Sequence, residues 1–371
     1  LLLMTVPVKR FLIIRLSSFG DIVLTTPVLA FIKNHFPQSS IDFVTYHHFS
    51  EVIRFHPDID TVYTFDKRKF VCLLRNRRFL HAARLWHSFV KALKSKHYDC
   101  IVDLHSVTDS AIVALKAQGR VRICNSHQLL GLLFSKTYSF PLKNEDARSH
   151  AINYNVSSLQ ALGVFPTTAN FTTPPPPAIL FPRESLQRAG LLLTGINPGQ
   201  KPLVGINPEA SRSFKCWNEE RFAVLIDMIC ERFGFMVVLT GKNRMLLSRI
   251  HDHTKSKPPI LPNCDTLVAF ALITRFDFFI TNDSGPMHIA AAYDIPQLAL
   301  FGHSNHVKFS PCSMSSVLIR TDVSCSPCSE ESARQCSSRL CLSGITTEKV
   351  FTEFSRLVEL HPITDPRSRV P

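Results

Sequence analysis

The stretch TNDSGPMHIAAA, Thr281 to Ala292, joins an apolar run to a polar, glycine-containing turn and then to small residues around a histidine. Upstream, FDFFI (Phe276 to Ile280) has the aromatic and β-branched character of a buried strand, while PMHIAAA reads as a helix opening on proline. Strand, tight turn and helix follow in order. The unpaired backbone N–H groups and the dipole at such a helix start form a site for phosphate or another anion.

Working outward, the same grammar recurs. FLIIRL (Phe11 to Leu16), IDFVTY (Ile41 to Tyr46) and DCIVDL (Asp99 to Leu104) read as buried strands separated by helix-forming segments such as Ile22 to His35. This alternation indicates parallel βαβ units covered on both faces. In the second half PLVGIN (Pro202 to Asn207), a helix from about Asn218 to Phe233, FMVVLTG (Phe235 to Gly241) and PQLALFG (Pro296 to Gly302) repeat it. Each strand run ends in Gly, Asn, Asp or Ser, at the carboxyl end where open α/β sheets bind ligands. Between the halves, FPTTANFTTPPPPAILFP (Phe165 to Pro182) is too rich in proline for regular structure. The expected organisation is therefore α/β: a first Rossmann-like domain over residues 4–165, a linker over 166–182 and a second over 183–345.

The chain has 371 residues, 45% of them apolar and 19% charged, a globular composition with room for about two domains. Its net charge of +13 calls for an anionic partner: nucleotide, phospholipid surface or nucleic acid. No reader motif for nucleic acid accompanies the charge. The most apolar stretches are interrupted, as by Arg275 and Asp277, so no membrane span is expected. LLLMTVPVKRFLIIRL runs straight into a strand with its cations after the first apolar residues, the wrong order for a secretory signal, and Met4 is the expected start. An odd count of 11 scattered cysteines favours reduced thiols in a cytoplasm.

Two further segments carry candidate chemistry. RLSSFGDIVLTTP (Arg15 to Pro27) places Ser17, Ser18, Gly20 and Asp21 between the first strand and an apolar helix. Neither G-x-G-x-x-G nor a G-x-x-x-x-G-K-[ST] phosphate loop occurs there, which argues against a nicotinamide oxidoreductase or an ATPase. Asp21 either caps the helix or serves as a general base. NPEASRSFKCW (Asn207 to Trp217) gathers Ser211, Arg212, Ser213 and Lys215 at a strand end. That set either neutralises a departing diphosphate or forms a solvated basic loop.

Taken in order and separation, SSFGDIVLTTP, NPEASRSFKCW and TNDSGPMHIAAAYDIPQLALFG resemble glycosyltransferase family 9, the bacterial heptosyltransferases of the lipopolysaccharide inner core. The likeness covers nearly the whole chain. It implies a GT-B fold, with two Rossmann-like domains facing across a cleft and a terminal helix, residues 346–361, returning to the first. It also implies inverting, metal-independent transfer of heptose from ADP-heptose to a Kdo-lipid A type acceptor, with no cofactor required, at the cytoplasmic face of the inner membrane. By this resemblance Asp21 is the catalytic aspartate, Lys215 stabilises the departing diphosphate, and Ser17, Ser18 and Gly20 lie on the acceptor side. Ser211, Arg212, Ser213, Asp283, Ser284, Gly285 and His288 are then the donor-binding residues. Another nucleotide sugar or glycan acceptor, or a non-catalytic nucleotide-sugar binding protein, stays open.

The sequence departs from the family pattern at three places. Glu209 replaces a frequent glycine and adds negative charge near the expected phosphates; KNRMLL (Lys242 to Leu247) lacks the acid that often meets the ribose; and Asp109 stands where a base is common. Cys325, Cys328, Cys336 and Cys341, spaced C-x2-C-x7-C-x4-C, suit a structural zinc or a set of reduced thiols. Asp58-Ile59-Asp60 mimics a metal-binding D-x-D but follows a turn, and a surface loop is expected. Finally, the basic segment Lys67 to Lys94 with its interleaved aromatic residues fits either a helix on an anionic membrane or one packed on the first sheet.

Overall fold

The computed structural model describes residues 8–125, 133–134, 136–138, 149–163 and 176–363. The chain divides into two compact units, Leu1–Leu180 and Phe181–Pro371, so the boundary falls inside the expected linker. Residues 166–175 of that linker lie outside the described residues.

The first unit is a sheet of β1 (Arg10–Ile14), β2 (Ser40–Tyr46), β3 (Thr61–Phe65), β4 (His97–Asp103), β5 (Gln118–Asn125) and β6 (Lys136–Tyr138). Its order is β3-β2-β1-β4-β5-β6, and every pairing is parallel. This is the doubly wound dinucleotide-fold order, in which strand succession reverses between β1 and β4. Leu12, Ile14, Val44 and Ile101 are fully buried because helices cover both faces of the sheet.

The helix expected over Ile22–His35 is two helices, Phe19–Val23 and Thr26–His35. Pro27 has no N–H to donate, and its ring clashes with the carbonyl four residues back, that of Val23. The Thr26 hydroxyl donates to that carbonyl instead, at 2.8 Å. The chain thus breaks at Leu24 and Thr25, and Asp21 sits in the five-residue helix that follows β1.

The second unit holds β7 (Leu203–Asn207), β8 (Met236–Leu239), β9 (Phe278–Asn282), β10 (Gln297–Phe301) and β11 (Ser316–Arg320), ordered β11-β10-β9-β7-β8 and again parallel. Here succession reverses between β7 and β9. The helix Glu219–Phe233 opens with the Asn218 side chain accepting the Arg221 N–H and closes at Gly234, whose φ of 67° suits a left-handed cap. The final helix, Thr347–Leu360, buries Val350, Phe354 and Leu357 in the core of this second unit, Phe354 lying against Phe278 and Phe233. The α/β class with two Rossmann-like units is therefore the one found.

Candidate active site

Each unit places its motif at its own strand-order reversal, where a crevice opens at the carboxyl ends of the strands. In the first unit, β1 delivers Arg15 and the turn to Asp21, and β4 delivers Asp103 to Asp109 beside it. Ser18 donates to Asp21 Oδ2 through both its backbone N–H (3.0 Å) and its hydroxyl (3.1 Å). Arg15 pairs with Asp21 Oδ1 at 2.8 Å, and its guanidinium also donates to the Leu104 carbonyl, tying the two loops together. Burial pushes the Asp21 pKa up, but Arg15 and the Ser18 bonds outweigh it and hold the carboxyl below its ordinary range. Asp21 thus caps its helix and is also an ionised carboxylate at the reversal point. Ser17 and Ser18, the latter the N-cap, precede it in the turn, and Gly20 is buried.

The β4 loop adds groups that lie outside the three motifs. Asp103 is fully buried; it accepts from the His105 and Ser106 N–H groups and the Ser110 hydroxyl, yet burial pushes its pKa up to about 6. Burial, with Arg15 nearby, pulls His105 down to about 4, so its imidazole is neutral at physiological pH. Asp109 accepts from the Tyr46 hydroxyl at 2.8 Å and from Lys67 at 2.5 Å, and Lys67 lies over the Tyr46 ring. The acid at a commonly basic position is therefore matched by a cation from the start of the next helix. The signal was present in KRKF, but nothing local linked Lys67 to a residue 42 positions away.

In the second unit, Asn282 at the end of β9 fixes the β7 loop at both ends: its amide donates to the Pro208 carbonyl (2.7 Å) and accepts the Trp217 N–H (3.0 Å). The loop is held so that Lys215, in the short turn Ser213–Lys215, meets Asp283 Oδ2 at 2.7 Å. The Ser304 hydroxyl donates to the same oxygen. Ser284 is the N-cap of the helix Gly285–Ala292 and shares a hydrogen bond with the Thr281 hydroxyl; Pro286 is its second residue rather than its first. Lys215, Asp283, Ser284 and Gly285 are thus brought together. His288 is buried one turn into the helix. Ser211, Arg212 and Ser213 are exposed on the loop, where Arg212 lies 3.8 Å from Glu330.

His303 and Ser304 belong to none of the three sequence motifs. They follow β10, and the buried His303 ring stands edge-on to Phe214 at 5.0 Å. Burial, and then Lys215, lower the His303 pKa. Their signal was positional: a polar turn at yet another strand end. Glu209, expected to load charge onto the phosphate region, instead turns its carboxylate to the β8 turn, where it accepts the Asn243 N–H and fills the space beside Gly241.

All 11 cysteines are free thiols, including Cys325, Cys328, Cys336 and Cys341. Among the described residues no three His, Cys, Asp or Glu side chains gather as metal ligands. In the Asp58–Asp60 loop, Asp60 accepts the Ile41 N–H at 2.7 Å, a structural role at the edge of β2.

Two Rossmann-like units with polar loops at both reversal points are the fold of GT-B glycosyltransferases, and solved structures of that class match it. A glycosyltransferase family 9 structure from Veillonella parvula gives a TM-score of 0.79 at 24% identity over 96% of this chain and 99% of that one. The E. coli heptosyltransferase WaaC, solved with ADP, gives 0.73 at 19% identity over 94% and 100%. The chain belongs to glycosyltransferase family 9 (heptosyltransferase), whose family model matches residues 86–337. It is 31% identical to lipopolysaccharide heptosyltransferase 3 of E. coli over 305 residues, 79% of this chain and 84% of that protein. The protein is a glycosyltransferase.

Proposed function

We propose that this enzyme transfers heptose from ADP-heptose to a lipid-linked lipopolysaccharide inner-core acceptor of Kdo-lipid A type, with inversion and without a metal, at the cytoplasmic face of the inner membrane. The observation that carries the reading is the shielded Lys215–Asp283 pair beside the N-terminus of the helix Gly285–Ala292. Lys215, the helix N–H groups and the hydroxyls of Ser211, Ser213 and Ser284 receive the β-phosphate as the glycosidic C–O bond breaks and its electron pair moves onto ADP. On the opposite face of the sugar the acceptor oxygen bonds to the anomeric carbon, and its proton passes to Asp21. Because Arg15 keeps Asp21 ionised rather than strongly basic, proton transfer comes late, once the attacking hydroxyl has become acidic by bonding.

The acceptor side supports one variation. Lys67 and Asp109 neutralise each other, so an acceptor group reaching them meets a compensated pair, which suits sugar hydroxyls better than a carboxylate. An acceptor that already carries neutral sugars is the second reading.

The test is release of ADP from ADP-heptose by the purified protein, with chelator present throughout, in the presence and absence of Kdo2-lipid A or its heptosylated product. Acceptor-dependent release supports the reaction, and the better acceptor decides between the two readings. Absence of ADP-heptose binding by folded protein would sink both.

A further inference from the structure

The basic segment after β3 is a helical hairpin, Lys67–Arg75 and Phe79–Leu93, and the structure divides its apolar residues into two sets. Phe70, Leu85, Trp86, Phe89 and Leu93 pack into the first unit's core, Trp86 standing edge-on to Phe65 at 5.3 Å. The aromatic residues in the middle of the segment are therefore core, not anchors. What remains outside is concentrated at the turn, where Phe79 is 61% exposed, Leu80 75% and Leu74 38%. Arg75, Arg77 and Arg78, all exposed, lie between Leu74 and Phe79, and the helix Lys67–Arg75 has no fully buried residue, Phe70 leaning on the core.

Charge adds an independent observation. Between Asp66 and Asp99 the sequence holds ten lysines and arginines and no acidic residue, so nothing on the hairpin itself neutralises it. An apolar tip ringed by unopposed arginines matches a bilayer with anionic headgroups, since the tip enters the headgroup–acyl boundary while guanidinium groups bind phosphates. Position agrees. The second helix starts after the carboxyl end of β3 and leads to the amino end of β4; its 15 residues span roughly 22 Å, close to the roughly 23 Å of seven-residue β4. Trp86 and Phe89 meet Phe65 at the carboxyl end of β3, so Phe79, roughly 10–15 Å earlier along the helix, lies beyond the sheet end that carries Asp21.

We propose that the turn Leu74–Leu80 is a membrane-docking element, inserting Leu74, Phe79 and Leu80 into an anionic phospholipid surface while Arg75, Arg77 and Arg78 hold lipid phosphates. This extends the lipid-linked acceptor reading by naming the surface that meets the membrane. It is tested by co-sedimentation of the full chain with phosphatidylcholine vesicles, with and without phosphatidylglycerol, for wild type, Arg77→Glu/Arg78→Glu and Phe79→Ser/Leu80→Ser. ADP affinity of each variant reports that it is folded. Wild type binds the anionic vesicles, less so as salt rises; the arginine variant partitions at least about 25-fold more weakly, from about fivefold per basic residue removed. The serine variant also loses binding, and ADP affinity stays unchanged in both.

Equal binding to neutral and anionic vesicles, or wild-type binding by both folded variants, overturns the proposal. So does capture of RNA through these arginines without vesicle binding. Failed docking with intact ADP release refutes the docking element alone, whereas intact docking with no ADP release counts against the reaction alone.

Discussion

Lys215 Nζ stands 2.7 Å from Asp283 Oδ2, with only 17% and 9% of the two side chains exposed, so the cation is held in place before any diphosphate arrives. The carboxylate keeps Lys215 from the solvent-averaged positions of an ordinary surface lysine, and a dianionic ligand can compete for it. Lys215→Met is expected to lower the rate of ADP release by about 100- to 1,000-fold, the size typical for loss of one group that stabilises a leaving charge. It also leaves Asp283 with the Ser304 hydroxyl but no cation, at a stability cost on the order of 2 kcal/mol after allowing for partial solvent access. Lys215→Met/Asp283→Asn should recover much of that stability and none of the turnover. Thermal denaturation and an ADP-release assay separate the two effects, and equal melting temperatures for the single and double variants would contradict the account.

Asp21 is expected to behave as a base kept ionised. Asp21→Asn should abolish turnover with ADP affinity unchanged, because the change lies in the other unit from the proposed donor residues. In the wild type the acid limb of kcat/KM should fall below the ordinary carboxylate range, since the active form is ionised and Arg15 with Ser18 depresses the pKa. Arg15→Met removes the largest favourable contribution and should move that limb upward. The same depression means that Asp21 contributes stability present above its unfolded pKa and lost as pH falls through the folded one. A pH profile unchanged by Arg15→Met would remove Arg15 from the argument.

Strand ends were legible because each buried run stops at a polar turn: Asp21, Lys215 and Asp283 all sit where the alternation of apolar and polar segments put them. Elements with weaker patterns were harder to see. β3, half-buried along Thr61–Tyr63, and β11, carrying Arg320, lack the continuous apolar run of the central strands because they lie at sheet edges. The partners that tune the site could not be read locally. Asn282 grips the two ends of one loop 74 and 65 residues back, Lys67 finds Asp109 42 residues on, and Arg15 reaches Leu104 across 89 residues. Only the parallel strand order makes these neighbours. The basic hairpin shows the same limit, since its periodicity fits core and membrane alike and only tertiary packing separates Trp86 from Phe79.

Asp103 and His105 give opposite pH dependences within three residues. Burial raises Asp103 to about 6, so its contribution to stability is present below the unfolded carboxylate pKa and is lost as pH rises through about 6. Burial lowers His105 to about 4, so its contribution is present above the unfolded imidazole pKa and is lost as pH falls through about 4. Each shift corresponds to about 3 kcal/mol, and over roughly pH 4–6 the two slopes oppose each other. His105→Asn should therefore leave a variant that gains stability on acidification through this window, and Asp103→Asn one that loses it. Urea denaturation at a series of pH values checks both, and parallel stability curves for the two variants would show that these groups do not titrate with folding.

Gly241 and Glu209 form the last pair whose geometry makes a quantitative expectation. Gly241 has φ of +150°, which side-chain-bearing residues rarely adopt, and a Cβ built there would lie 2.6 Å from Glu209 Oε1. Glycine thus gives the turn its conformation and also makes room for the carboxylate that satisfies the Asn243 N–H. Gly241→Ala should cost about 2 kcal/mol, within the usual range for a residue forced into a sparsely populated backbone region, plus the displacement of Glu209. Glu209→Ala alone leaves the Asn243 N–H without that acceptor and should cost about 1 kcal/mol. In the double variant the steric conflict disappears while the backbone strain stays, so the combined loss should be smaller than the sum of the single losses. A double-mutant cycle by chemical denaturation measures the coupling. Strict additivity would mean that a Cβ at position 241 leaves Glu209 and its bond to Asn243 undisturbed, and that the contact does not shape the turn.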